Sequence, residues 1–189
     1  MDGDPIIYAE TPGKFEAWLA KNHESSTGIW LAIAKKAGTA RSVTYAEAVD
    51  IALCWGWIDG QKRKLDDDHS LQRFTPRRPR SNWSKTNVNN VTRLVKAKRM
   101  QPSGFAEVKR AKADGRWDAA YESQAKATVP DDFAAALKRN KKAATFFDTL
   151  NSANRYAFLY RIHTAKKLET RAARIEKFVT MLAEGQTFH

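Results

Sequence analysis

Along residues 12–22 the apolar side chains Phe15, Trp18 and Leu19 recur at helical spacing, which predicts a helix with one buried face. The period then changes. "GIWLAIAKK", Gly28 to Lys36, sets Trp30, Ala32 and Ala34 on one side and Leu31 and Ile33 on the other, the pattern of a central strand covered on both faces. "TYAE" reads as a capping box, with the Thr44 hydroxyl taking an early helical N–H and Glu47 reaching back. Val49, Ala52 and Leu53 supply the stripe of the helix it opens, which should end near Cys54. "WIDGQKRKLDDDHSLQRFTPR" predicts two antiparallel strands over about 57–65 and 70–75, joined by the turn-forming "DDDH", with Gly60 marking a bulge.

Beyond Pro79 the pattern is helical. Val88, Val91, Leu94 and Val95 form one apolar face, and "QPSG" ends it. Ser103 is placed to cap the next helix, with Phe105, Val108 and Ala111 inward, up to about Gly115. Further helices are predicted near 131–139, 141–150, 153–166 and 169–184, punctuated by Asn140, Asn151 and Leu168 and closed by Gly185. The fold class is therefore α+β: a small antiparallel sheet with flanking helices in the N-terminal half, followed by a helical C-terminal half. The division falls at residues 1–100 and 101–189, the two portions packing as one unit.

The 189 residues, 42% hydrophobic, suffice for a sizeable core. "MDGDPIIYAE" lacks the features of a secretory signal, and no apolar run approaches the roughly 18 residues of a membrane span, so the expected location is the cytoplasm. A single cysteine, Cys54, and the absence of zinc-ligand spacings predict no disulfide, metal or cofactor. The net charge of +12 is uneven: residues 73–112 hold 12 Lys/Arg against one Glu, whereas residues 1–72 sum to −3. Such a field concentrates anions, so nucleic acid or a phosphorylated ligand is the expected partner.

The phrases "SVTYAEAVDIALCWGWIDGQKRKLDDDHSLQRFTPRRPRSNWSKTNVNNV", "RMQPSGFAEVKRAKADGRWDAAY" and "TAKKLETRAARIEKFVTMLAEG" resemble the YdeI/OmpD-associated, or bacteriocin-protection, family over nearly the entire chain. The resemblance implies a bacterial protein linked by name with antimicrobial-peptide or stress resistance, or with an outer-membrane porin. It brings no catalytic residues. The positive charge opposes direct capture of cationic peptides.

The densest cationic stretch is "RFTPRRPRSNWSKTN". Pro76 and Pro79 stiffen it, the arginine forks match phosphate oxygens, and Trp83 offers an aromatic face, so Arg73, Arg77, Arg78, Arg80, Trp83 and Lys85 are the candidate binding residues. The competing reading pairs these arginines with Asp59 and Asp66–Asp68 and puts Trp83 in the core. Trp55, Trp57 and Asp59 form a candidate pocket in which an apolar surrounding would raise the carboxyl's pKa. His23, His69, His163 and His189 form no recognisable group, Cys54 reads as a small buried hydrophobe, and no nucleophile elbow or phosphate loop occurs. Three functions follow: binding of an anionic ligand, favoured by the clustered charge; an enzyme using Asp59 and the arginines, disfavoured because no catalytic motif is present; and a protein-protein adaptor using the C-terminal helices.

Overall fold

Three residues are too few to carry a periodicity, and the first strand, β1 (Ile6–Tyr8), was not predicted from the sequence. The computed structural model describes residues 3–36 and 40–188; His189 lies outside them. Helix α1 (Pro12–Asn22) follows, capped by the Thr11 hydroxyl. Strand β2 (Ile29–Ala34) is central, and helix α2 (Tyr45–Cys54) starts at the predicted Thr44/Glu47 capping box. Strands β3 (Trp57–Lys64) and β4 (His69–Pro76) complete a sheet of order β1-β2-β4-β3. The sheet is antiparallel except at β1, which pairs parallel with β2. The β3–β4 register shifts between Asp59 and Lys62, which places Gly60 at a bulge as expected.

The two sheet faces are covered differently. Ile29 with Phe74 and Leu31 with Gln72 are register partners and so share a face, where Phe15 of α1 packs at 5.6 Å from Phe74. On the other face Trp30, Ala32 and Leu71 form a small cluster with Ile6 and Leu65. No second helical layer is needed there: the Arg63 guanidinium lies 4.5 Å over the Trp30 ring and Arg73 lies 5.9 Å from it.

Helix α3 (Lys85–Lys96) buries Asn87, Val91 and Leu94 and leaves Val95 exposed. It ends in a Schellman motif with Lys98 at φ 56°: the Arg99 N–H donates to the Leu94 carbonyl and the Lys98 N–H to that of Val95. Helix α4 (Pro102–Ala113) departs from expectation. Its cap position is Gln101, and the Ser103 hydroxyl donates instead to the Trp55 carbonyl at 3.0 Å. Phe105 is exposed, because the helix turns Gly104, Val108 and Ala111 toward α2.

The remaining helices are α5 (Asp131–Lys138), α6 (Lys141–Thr149), α7 (Ser152–His163) and α8 (Leu168–Ala183). The side chains of Asn140 and Asn151, expected as punctuation between helices, cap α6 and α7. Their core is aromatic, with Phe133, Phe147, Phe158 and Phe178 joined by Leu137, Ile162 and Leu182. The chain forms two compact units, the first comprising residues up to Trp83 with Asn87–Ala119, the second Ser84–Thr86 with Ala120–His189. Residues 101–119, grouped with the helical half in the sequence reading, thus belong with the sheet.

Candidate functional site

Of the residues in the Arg/Pro segment, some face inward. Arg73 donates through Nε and Nη2 to the Asp4 carboxylate at 3.0 and 2.6 Å. Arg77 is only 4% exposed, stacks 3.7 Å from the Trp83 ring centroid and donates to the Asn82 carbonyl at 2.7 Å. Trp83, 2% exposed, packs against Trp117 at 5.0 Å and gives its face to the Arg77 guanidinium, so that face is closed to a nucleic-acid base and lies in the core, as the competing reading had it. Arg116, also buried, grips the Asp114 carboxylate and the Ser81 carbonyl. Two guanidiniums thus fix the backbone at Ser81 and Asn82 from within, a pattern that reflects the high hydrogen-bond capacity of arginine. Arg78 and Arg80 are the exposed arginines of the stretch. Lys85 pairs with Glu122 at 2.5 Å.

Asp59 and Asp66, the alternative partners expected for these arginines, are engaged elsewhere. Asp59 accepts a 2.7 Å hydrogen bond from the Tyr45 hydroxyl, and Asp66 closes its own turn by accepting from the Asp68 and His69 N–H groups. Burial, with the hydrogen bond to Asp59, pushes the Tyr45 phenol well above its ordinary range. Trp57 is buried and donates through Nε1 to the His23 carbonyl, while Trp55 packs on the His23 ring at 4.7 Å. These contacts make the tryptophans structural; neither they nor Asp59 lines any hollow described below. Cys54 is buried, and desolvation pushes its thiol up to about 11. Among the described residues no group of three or more His, Cys, Asp or Glu is arranged to hold a metal, and no helix is long and apolar enough to cross a membrane.

A concave basic surface lies elsewhere on the first unit. At the end of the sheet a hollow of about 830 Å³ is lined by Lys35, Lys36, Arg41, Lys62, Ser42, Ser70 and Tyr45. A second, of about 500 Å³, adjoins it through Lys35, Lys62 and Ser70 and adds Arg63 and Lys64. The sheet register explains the grouping: Lys62 sits opposite Gln72 and Lys64 opposite Ser70, while Ile33 pairs with Ser70 from the other side of β4. Six cations therefore line the two hollows, and the single carboxylate there, Glu10, is already paired with Lys14. Lys35 is oriented by its Nζ, which donates to the Asp66 carbonyl at 2.6 Å, and Lys64 lies 3.7 Å from Asp67 at the rim. Lys36, Arg41 and Lys62 make no ion pair among the described residues. The sequence reading missed this cluster because residues 1–72 sum to a negative charge. Its signal was the alternation of "KRK" on β3 with "KK" at the end of β2, two runs that pairing with β4 brings together.

The second unit carries a hollow of about 610 Å³ between α5 and α8, lined by Ala136, Leu168, Ile175 and Val179 and bordered by the Asp132–Arg171 pair at 2.6 Å. Leu168, expected only as punctuation, is 83% exposed at its edge.

Comparison with known proteins divides the chain in two. Residues 7–107 match the family model described as Domain of unknown function (DUF8412), and residues 126–185 match Bacteriocin-protection, YdeI or OmpD-Associated. No curated protein and no solved structure matches. The first phrase that carried the resemblance, Ser42 to Val91, thus falls under a family model of its own, and the second, Arg99 to Tyr121, lies within that match only as far as residue 107. Residues 126–185 match the model of the bacteriocin-protection, YdeI or OmpD-associated type, and, more than half of its residues being matched by the other model, the chain belongs to the family of unknown function DUF8412.

Proposed function

We propose that the protein binds a phosphorylated anion in the basic hollow at the end of its sheet, as part of a protective role of the bacteriocin-protection type. The observation that supports this most is the lining itself: six cations around one already paired carboxylate. Like charges placed this close repel, and an anion held among them relieves that repulsion while gaining charge-assisted hydrogen bonds. Hydroxyls of Ser42, Ser70 and Tyr45 add neutral polar contacts. A concave site of this size suits a compact phosphorylated molecule better than an extended strand.

A second reading keeps the Arg/Pro stretch. Arg78 and Arg80 are exposed on a loop whose carbonyls are held by buried guanidiniums, and such a stiff display suits the backbone of a nucleic acid. Titration with sodium tripolyphosphate, and with a short fluorescent single-stranded oligonucleotide at two salt concentrations, separates the two. For the hollow, Lys35→Gln with Lys62→Gln weakens tripolyphosphate binding at least about tenfold, and Arg78→Ala with Arg80→Ala leaves it unchanged. The opposite pattern moves the site to the loop. With about four phosphates engaged there, the logarithm of the oligonucleotide affinity falls with the logarithm of salt at a slope near −3 to −4. No binding of either probe overturns both readings.

A further inference from the structure

The second unit holds a hollow of opposite character. About 170 Å³ in volume, it is lined by Tyr121, Tyr156 and Tyr160 with Glu122, Leu159 and His163, and no Lys or Arg contributes to it. In a chain of net charge +12 that exclusion is a marked local departure. Tyr156 and Tyr160 stand one turn apart on α7, so both rings emerge on the same side of the helix. Tyr121 lies 4.9 Å from Tyr160 at 85°, and Tyr156 lies 6.0 Å from Tyr160 at 42°. Rings at these angles cannot form a continuous stack; they bound a concavity instead. Its frame is fixed, because the Tyr156 hydroxyl donates to the Glu122 carbonyl at 2.9 Å. Burial pushes that phenol up to about 12, so it keeps its proton at neutral pH.

The negative faces of aromatic rings attract cations, and several rings around one small space favour a cation that sheds water readily. A methylated ammonium does so, having few or no N–H groups to leave unsatisfied. The Glu122 carboxylate adds negative potential beside the rings, although Lys85 shares it. The volume is below that of a site for a drug-sized ligand and matches a head group rather than a whole molecule. We propose that this hollow recognises a methylated ammonium group, carried either by a free solute of the choline kind or by a methylated lysine side chain.

The experiment is calorimetric titration of the full chain with choline, with its neutral carbon isostere dimethylbutanol, and with a short peptide containing trimethyllysine. Choline or the peptide binds at least about tenfold more tightly than the isostere, and whichever is tighter identifies the source. Tyr160→Leu weakens that binding about tenfold, whereas Tyr160→Phe, which keeps the ring, stays within about threefold. Tyr121→Leu serves as the second truncation should Tyr160→Leu fail to fold by circular dichroism. Equal binding of the isostere, undiminished binding by a folded leucine variant, or no binding of choline or peptide overturns the proposal.

Discussion

Gly104→Ala tests how closely α4 is seated on the end of α2. A Cβ at position 104 would lie 2.2 Å from the Cys54 carbonyl oxygen, 2.8 Å from its carbon and 2.9 Å from the Leu53 oxygen, against ordinary contacts of 3.4–4 Å. Relief requires the helices to part by about 1.2 Å, and since every atom met is backbone, no rotamer change can supply it. Two hydrogen bonds sit at the same junction, Gln101 N–H to the Cys54 carbonyl and the Ser103 hydroxyl to the Trp55 carbonyl, both at 3.0 Å. Losing them costs about 1 kcal/mol each, and overpacking adds about 1–3 kcal/mol. Alanine in place of glycine within a helix returns about 1 kcal/mol. The net expectation is a loss of about 2–4 kcal/mol. All six tryptophans belong to the first unit, so tryptophan fluorescence during urea unfolding reports that unit, and the midpoint should fall by about 1–2 M. Gly13→Ala, in α1 with nothing within 4 Å of the added carbon, is the control and should be neutral or slightly stabilising. A Gly104→Ala midpoint equal to that of the native chain would refute the close-contact argument.

Lys98→Gly relieves the left-handed residue after α3 and should raise stability by about 0.5–1 kcal/mol in the same assay. Arg77→Ala removes a buried guanidinium together with its stacking on Trp83 and its hydrogen bond to Asn82, costing about 2–4 kcal/mol, whereas Arg78→Ala and Arg80→Ala should each stay within about 0.5 kcal/mol. Asp132 is held below the ordinary carboxylate range, first by its hydrogen bond from Arg171. A depressed folded-state pKa contributes stability above the unfolded value and loses it as pH falls through the folded one. The deficit of Asp132→Asn, about 0.5 kcal/mol or less after solvent screening, should therefore be present at pH 7 and begin to shrink only as the pH falls below about 4, through the lowered folded-state pKa, in helix-monitored unfolding. Thr44→Ala breaks the capping box and should cost about 1 kcal/mol.

Local elements were legible where local chemistry decides them. The Thr44/Glu47 box, the breaks between helices at Asn140 and Asn151, the central position of β2 and the Gly60 bulge each depend on residues close in sequence or on a strict alternation. Position 103 was misread because a serine before a helix is equally ready to cap it or to reach a remote carbonyl, and the Trp55 carbonyl, 48 residues away, prevailed. Strand β1 escaped because its only support is pairing with β2.

By itself the sequence determined the α+β class, the Thr44/Glu47 capping box, the turns, and the quantity of positive charge. These follow from side-chain period, backbone preference and composition, none of which needs a distant partner. Tertiary structure decided which cations are available. Arg73 was claimed by Asp4, 69 residues away, and Arg77 by the Trp83 ring it stacks on, while pairing through β4 assembled Lys35, Lys62 and Lys64 into a basic concavity within a portion of the chain, residues 1–72, whose summed charge is negative. The physical reason is that a charge acts over ångströms in space: its partners are set by the contacts folding makes, and a sum along the chain averages over them.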